Sequence, residues 1–352
     1  MEINDLTRRS AAWLRGEGPM ADVVISSRIR LARNLDNHLF LSRADESEQR
    51  KIFRALTDCV TDGSLGDDAL VVSMEEIDEL DRHLLVERHL ISRHHADGQG
   101  CRGAVISADE GGALMINEED HLRMQVLSSG LQLDTLWQQI DDMDNAVESR
   151  VSYAFDKRFG YLTACPTNVG TGIRVSVMLH LPALKMTNEL EKVLRAAQDM
   201  HLAVRGLYGE GTEAIGDFFQ VSNQTTLGKS ETEIIEEFGQ QIIPQIIEYE
   251  LASRKVLAAE RVYQLDDRIW RAYGILVNAR TIGTEEALFL LSHVRLGVQM
   301  QRFKEVSLQT LNELFLLVQR AHLQKLNGGP MEPEQRAIAR AELLRERMAG
   351  GH

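Results

Sequence analysis

At 352 residues, with 43% of them hydrophobic, the chain has room for two domains, each with a sizeable core, and its 5% aromatic share makes those cores aliphatic. Its 39 Lys and Arg against 53 Asp and Glu give a net charge of -14 and a pI near 5.3, which counts against general nucleic-acid binding, since that needs a basic face. Cys59, Cys101 and Cys165 have no CxxC spacing and fit neither a disulfide framework nor a zinc site. Met1–Ser10 lacks an apolar signal region, and no run of about 18 apolar residues could span a membrane, so a reducing cytoplasm is the expected compartment.

Taken in chain order, Asp22–Ile25 begins a strand, and 46–61 carries a helical period through Ile52, Phe53, Leu56 and Val60. Leu70–Met74 reads as a buried strand and Glu75–Ser92 as a helix. Ala104–Ser107 and Leu114–Asn117 read as strands around a Gly111-Gly112 turn. Asp134–Val151 is helical. Gly160–Ala164, Arg174–Leu181, Leu202–Arg205 and Phe218–Asn223 read as strands, with a helix over Thr187–Met200 opened by a threonine N-cap. The spacing predicts an α+β domain with a mostly antiparallel sheet flanked by helices. After Ser230, which forms a capping box with Glu233, nearly everything to Met348 is helical. Thr284-Glu285-Glu286 opens one helix, Ser307 caps another, and Asn327-Gly328-Gly329-Pro330 separates the last two. The predicted division is 21–254 for the α+β domain and 255–352 for an all-α domain. The latter's apolar faces fit a plain core or a dimer interface.

Four segments carry chemistry. In Ser26-Ser27-Arg28-Ile29-Arg30, a strand would point Arg28 and Arg30 to one face, where guanidinium forks suit polyphosphate; a solvated edge strand is the plainer reading. In Asn117-Glu118-Glu119-Asp120-His121-Leu122-Arg123, three acids follow an apolar strand; an acidic surface turn fits as well. Cys165-Pro166-Thr167-Asn168-Val169-Gly170-Thr171-Gly172 is a small-residue loop that could let a ligand approach its backbone, and it leads into Arg174-Val175-Ser176-Val177-Met178. Nearby cations would lower the Cys165 pKa, whereas a buried inert thiol is the commoner case. Arg205-Gly206-Leu207-Tyr208-Gly209-Glu210 joins a strand end, a flexible loop and a carboxylate, and is also a plain turn. The near P-loop Asn223–Ser230 lacks its first glycine, and His94-His95 with Asp97 reads as a solvated loop more readily than as a metal cluster.

Together and in order, these segments resemble the catalytic domain of the phosphagen (guanidino) kinases over roughly 20–250. The chain is closer to the bacterial protein-arginine-kinase branch (the McsB type), because only 25 residues precede Ser26 where the small-guanidine enzymes carry a helical domain. The resemblance implies ATP and Mg²⁺ as cofactors, with no metal ligand from protein side chains directly. It implies ATP contacts from Ser26, Ser27, Arg28, Ile29, Arg30, His89, Arg123, Arg174, Val175, Ser176, Val177, Met178, Arg205, Gly206, Leu207, Tyr208 and Gly209. It implies Glu119 as catalytic carboxylate, Glu210 as its partner and Cys165 as the reactive cysteine. A guanidinium is protonated at neutral pH and must lose a proton to attack. Two carboxylates can align it and take that proton, while arginines and Mg²⁺ neutralise the transferring phosphoryl group.

In the C-terminal part, Arg336-Ala337-Ile338-Ala339-Arg340-Ala341 resembles that branch's phosphoarginine-binding element, with Arg336 and Arg340 kept but alanine in place of its aspartate. The implied activity is protein arginine phosphorylation in stress response and protein quality control. The implied partners are arginine-bearing protein substrates, a zinc-binding activator protein, a Clp-type protease and a second copy in a homodimer. Two alternatives stand beside it: a kinase of a free small guanidine, and a decayed phosphoarginine-binding adaptor.

Overall fold

Alternating β-branched and polar residues pair here into one sheet. The computed structural model describes residues 2–7, 9–61, 65, 66, 68–206, 215–303 and 306–349. Its strands are β1 (Val24–Arg33), β2 (Leu70–Ser73), β3 (Gly103–Ile106), β4 (Gly112–Ile116), β5 (Leu122–Ser129), the short ribbon β6 (Phe155–Asp156) and β7 (Gly160–Tyr161), β8 (Ile173–His180), β9 (Leu202–Gly206) and β10 (Phe218–Asn223). Eight of them form a sheet in the order β2-β3-β4-β5-β1-β8-β10-β9. Every neighbouring pair in it is antiparallel.

The two faces differ in chemistry because side chains alternate along each strand. Ile29, Leu31, Met124, Val126, Val175, Val177 and Val221 point into one aliphatic core. The helices Glu46–Thr61 and Leu133–Glu148, with the helical run 231–260, cover that face. The opposite face is covered at its two ends. At one, Leu85, Leu90 and Ile91 pack on β2 to β4; at the other, Ile25, Leu127, Met178 and Phe218 pack against C-terminal helices. The middle is left polar.

Several expectations shift for local reasons. The helix expected over Glu75–Ser92 is confined to Glu79–Glu87, because the Asp78 side chain accepts the Asp81 N–H and starts it there. It ends before His89, whose φ of 59° is left-handed. Thr187 is no N-cap: it closes the short helix Pro182–Met186, and its hydroxyl donates to the Ala183 carbonyl at 2.9 Å. The next helix, Leu190–Asp199, follows Asn188 at φ 62°. Gly160–Ala164 contributes only two residues to a ribbon. The sequence reading passed over β5, although Leu122, Met124 and Val126 alternate. The Ser230–Glu233 capping box forms, with the Ser230 N–H donating to the Glu233 carboxylate at 2.7 Å. Ser307 caps Leu308–Leu317, accepting the Thr310 N–H at 3.0 Å. The helix Ile243–Glu260 passes through position 255 without a break, and the next interruption is at Arg261. Among the described residues, no helix is long and apolar enough to cross a membrane.

Candidate active site

Residues directly opposite on antiparallel strands point to the same face, and this register gathers the arginines. Arg30 pairs with Arg174 on one side, and Ala32 with Arg123 on the other. Arg28 pairs with Ser176, Ser176 with Ser222, and Gln220 with Arg205. Arg28, Arg30, Arg123, Arg174 and Arg205, from four strands, thus share the polar face. Four of them, with His89 and Gln220, line a cleft of about 1540 Å³.

The arginines repel one another in a partly dry setting. Burial, then Arg174 and Arg123, pull the Arg28 pKa down to about 10. Burial, then Arg28, Arg123 and Arg174, pull Arg30 well below its ordinary value, with Glu118 opposing. Arg174 is lowered by burial, Arg205 and Arg123. Arg28 donates to Gln220 at 2.6 Å and Arg174 to Ser222 at 3.1 Å. The buried Nε atoms of Arg30 and Arg174 have no hydrogen-bond partner. Unmatched guanidinium donors on one face are what a polyphosphate would satisfy.

Glu119 tops the turn between β4 and β5. Its side chain is 43% exposed and ion-paired to Arg123 at 3.2 Å. Glu118, by contrast, is buried, paired to Arg123 at 2.8 Å, and accepts from the Ser92 hydroxyl at 2.6 Å. Burial pushes Glu118 up, but Arg123, Ser92 and the Glu119 amide outweigh it and hold the carboxyl below its usual range. Two neighbours fix the turn. Asn34 accepts the His121 N–H at 2.9 Å and donates to Asp120 at 2.7 Å. Asp120 also accepts the Ala164 N–H at 2.6 Å, which ties the Cys165 loop to the acidic turn. His121 accepts the Leu35 N–H on Nδ1 and faces the Leu39 carbonyl with Nε2. Burial brings its pKa down to about 4, so it is neutral.

Cys165 is half-buried, its Sγ 3.0 Å from the Thr167 hydroxyl, and within electrostatic reach of Arg174. The loop's glycines serve packing and not ligand approach. A Cβ on Gly170 would meet the Thr226 carbonyl at 2.4 Å, and one on Gly172 the Ala32 carbonyl at 2.6 Å. His89 lines the cleft with its ring edge-on to Trp13, centroids 4.7 Å apart. Burial, Arg28 and Arg30 lower it to about 3, so it too is neutral.

Not every residue expected at ATP faces the cleft. Ile29, Val175 and Val177 point into the core on the other face. Ser27 is fully buried there, donating to the Gly130 carbonyl at 2.7 Å and accepting the Gln132 N–H. Strand alternation excludes these four side chains; Ser26, Ser176 and Met178 remain on the arginine side, around a smaller recess with Trp13 and His89. Gly206 lines the main cleft, while Leu207, Tyr208, Gly209 and Glu210 lie outside the described residues. Gln220, Ser222, Asn34, Asp120 and Trp13 were passed over; the register of β10 and the buried Asn34–Asp120 pair reveal them. His95 is no solvated loop residue: it is buried, with Nε2 2.9 Å from the Gly103 carbonyl. The described residues hold no acid, histidine and cysteine cluster fit for a metal. The near P-loop is accounted for by the Ser230 cap and by Asn223, which accepts the Val175 N–H at 2.8 Å.

Arg340 is buried; its Nε donates to the Val318 carbonyl at 2.8 Å and its Nη1 to the Ile282 carbonyl at 2.9 Å. Arg336 donates to the Met331 carbonyl. With Ala337 between them, the pair braces the last helix.

An antiparallel sheet that presents arginines from four strands beside an acidic turn defines a phosphotransferase of the phosphagen-kinase class. The model of the ATP:guanido phosphotransferase C-terminal catalytic domain matches 50–253. The duplicated taurocyamine kinase of Schistosoma mansoni, solved with transition-state analogue components, superposes with a TM-score of 0.60 at 25% identity over 67% of this chain and 34% of that one. Lombricine kinase superposes with a TM-score of 0.59 at 24% identity over 71% and 75%, a likeness of fold. The model of the McsB protein-arginine kinase C-terminal domain matches 262–351. The protein-arginine kinase of Halothermothrix orenii is 44% identical over 350 residues, covering 99% of both chains, and that of Symbiobacterium thermophilum 46% over 353 residues, covering 99% and 100%. The chain belongs to the protein-arginine kinases.

Proposed function

We propose that the protein transfers the γ-phosphoryl group of ATP to arginine side chains of proteins, giving ADP and N-phospho-arginyl protein. The observation that carries this reading is the convergence of Arg28, Arg30, Arg174 and Arg205 on one cleft, with Arg123 joining them to Glu119. The arginines hold the polyphosphate and neutralise charge on the transferring group. Glu119 is the accessible acid of the turn, placed to align the acceptor guanidinium and take its proton. Glu210 is the second carboxylate and Cys165 the neighbouring thiol of that acceptor site. Orphaned Arg30 and Arg174 donors fit a bound triphosphate. Mg²⁺ would supply further charge neutralisation, held by phosphate oxygens and water as this ion prefers.

The wider reading follows the same resemblance. The α+β part, 21–254, does the chemistry, and the helical part, 255–352, serves dimerisation. The protein acts in the cytoplasm in stress response, with a zinc-binding activator and a Clp-type protease as partners. One assay tests the central claim: labelled ATP is incubated with the protein, a denatured protein and free arginine, and acid-labile phosphate is measured. Label on protein is the expected result. Label on free arginine alone would point to a small-guanidine kinase, and no label to a phosphoarginine-binding adaptor.

A further inference from the structure

The cleft has a wall that lies outside the region matching the ATP:guanido phosphotransferase model. Gln319, Arg320, Gln324 and Lys325, in the C-terminal helical part, line it together with His89. The helix Arg320–Leu326 is seated by one carboxylate. Glu87 accepts the N–H groups of Ala321 at 2.7 Å and His322 at 2.9 Å, and its Oε2 lies 2.7 Å from the His322 Nδ1. A carboxylate at a helix N-terminus satisfies otherwise orphaned donors. Lys325 adds an ion pair to Asp81.

Three consecutive residues then point three ways. Glu87 holds the C-terminal helix. Arg88, fully buried, donates to both oxygens of Glu110 at 2.6 Å, to the Arg9 carbonyl at 3.0 Å and to the His322 Nε2 at 3.2 Å. His89 turns into the cleft in a left-handed conformation, against Trp13, whose indole N–H donates to the Arg88 carbonyl at 3.2 Å. His322 accepts from Arg88 on Nε2, so its proton sits on Nδ1 and is donated to Glu87. Burial lowers its pKa despite Glu87, consistent with that neutral tautomer.

We infer that the helix Arg320–Leu326 is part of the nucleotide site, and that Glu87 and His322 are positioning residues which set His89 against the bound nucleotide. Arg320, exposed at the start of that helix, is the cation this wall presents to ATP. This rests on the cleft being the ATP site. It assigns to the helical part a share in nucleotide binding. By linkage, whatever seats the helix tightens ATP, and ATP tightens the seat.

The test uses the full chain. Hydrogen exchange is followed with and without ADP, and ATP affinity is titrated directly. ADP should slow exchange of the 320–326 amides at least about threefold, since ligand binding lowers the population of the opened segment. Glu87→Ala and His322→Phe should raise the KM for ATP about tenfold, the equivalent of ~1.4 kcal/mol, with kcat little changed. His322→Gln, which can both donate and accept, should restore most of the affinity. Unchanged exchange on ADP binding, or variants that lose thermal stability at unaltered KM, would overturn the inference and leave a structural contact. ATP bound with 320–326 protected, but no phosphate on protein arginine, would sink the proposed function and keep this inference. Absence of ATP binding would sink both.

Discussion

Replacing Arg30 with methionine should make the empty protein more stable and the nucleotide complex weaker. Arg30 sits among Arg28, Arg123 and Arg174, its Nε has no partner, and burial and like charges both disfavour its cation. Arg28 sets the scale. Its pKa falls from 12.5 to about 10, which at about 1.4 kcal/mol per pKa unit is a charging cost on the order of 3 kcal/mol. Methionine keeps most of the stem and removes the charge. Unfolding in denaturant should therefore show a gain of about 1–3 kcal/mol for the ligand-free variant, the range for relieving an unsatisfied buried polar group. ATP would lose charge-assisted hydrogen bonds worth about 1.5–3 kcal/mol, or roughly ten- to a hundredfold in affinity. Calorimetric titration with ATP beside denaturant unfolding measures both. A variant that is less stable without ligand, or that binds ATP as tightly as the parent, would refute the account of an arginine face built for polyphosphate.

Other consequences concern the acidic turn and the buried histidines. Glu119→Gln should lose turnover by at least about a hundredfold, the usual scale for general acid–base help, while ATP binding by titration stays within a few-fold; retained turnover would remove Glu119 from the chemistry. Asp120→Ala leaves the Ala164 N–H without an acceptor and removes one of the two acceptors of the Asn34 amide, which keeps the Leu162 carbonyl. Unfolding should register a loss of about 1–3 kcal/mol, and kcat should fall as the Cys165 loop drifts, with no change in kcat counting against that loop's role. His95 and His121 have folded pKa values of about 4 against 6.5 unfolded, so the unfolded chain binds more protons between those values. Their contribution is fully present above 6.5 and is lost as pH falls toward 4. At pH 5 this amounts to about 2 kcal/mol for each histidine; a His121→Asn variant should show a shallower acid slope in denaturant unfolding than the parent. Ser230→Ala removes the capping-box hydroxyl and should cost about 1 kcal/mol of stability, read in the same way.

The residues of the site were legible in the sequence, but their arrangement was not. The spacing of Arg28 and Arg30 sufficed to put them on one face of a strand, and the order of the four segments sufficed to tie them to Arg123, Arg174, Arg205 and Glu119. Capping chemistry at Ser230 and Ser307 and the break at 327–330 are local, acting within three or four residues, so the chain alone announces them. Alternation also carried information that segment-level reading blurred: it excludes Ile29, Val175, Val177 and the Ser27 hydroxyl from the arginine face, and it contained β5.

Pairings between distant residues are decided by strand register and helix docking, and no local pattern encodes either. Only the sheet places Arg30 beside Arg174, and only the fold closes Asn34 on Asp120 and Asp120 on Ala164. The same holds for Arg340, whose bonds to the carbonyls of Val318 and Ile282 join segments far apart in the chain. It holds most for Glu87 and His322, 235 positions apart. Neither carries a sequence signal. Their contact exists because a helix from the end of the chain packs on the helix Glu79–Glu87 and completes the cleft that the arginines began.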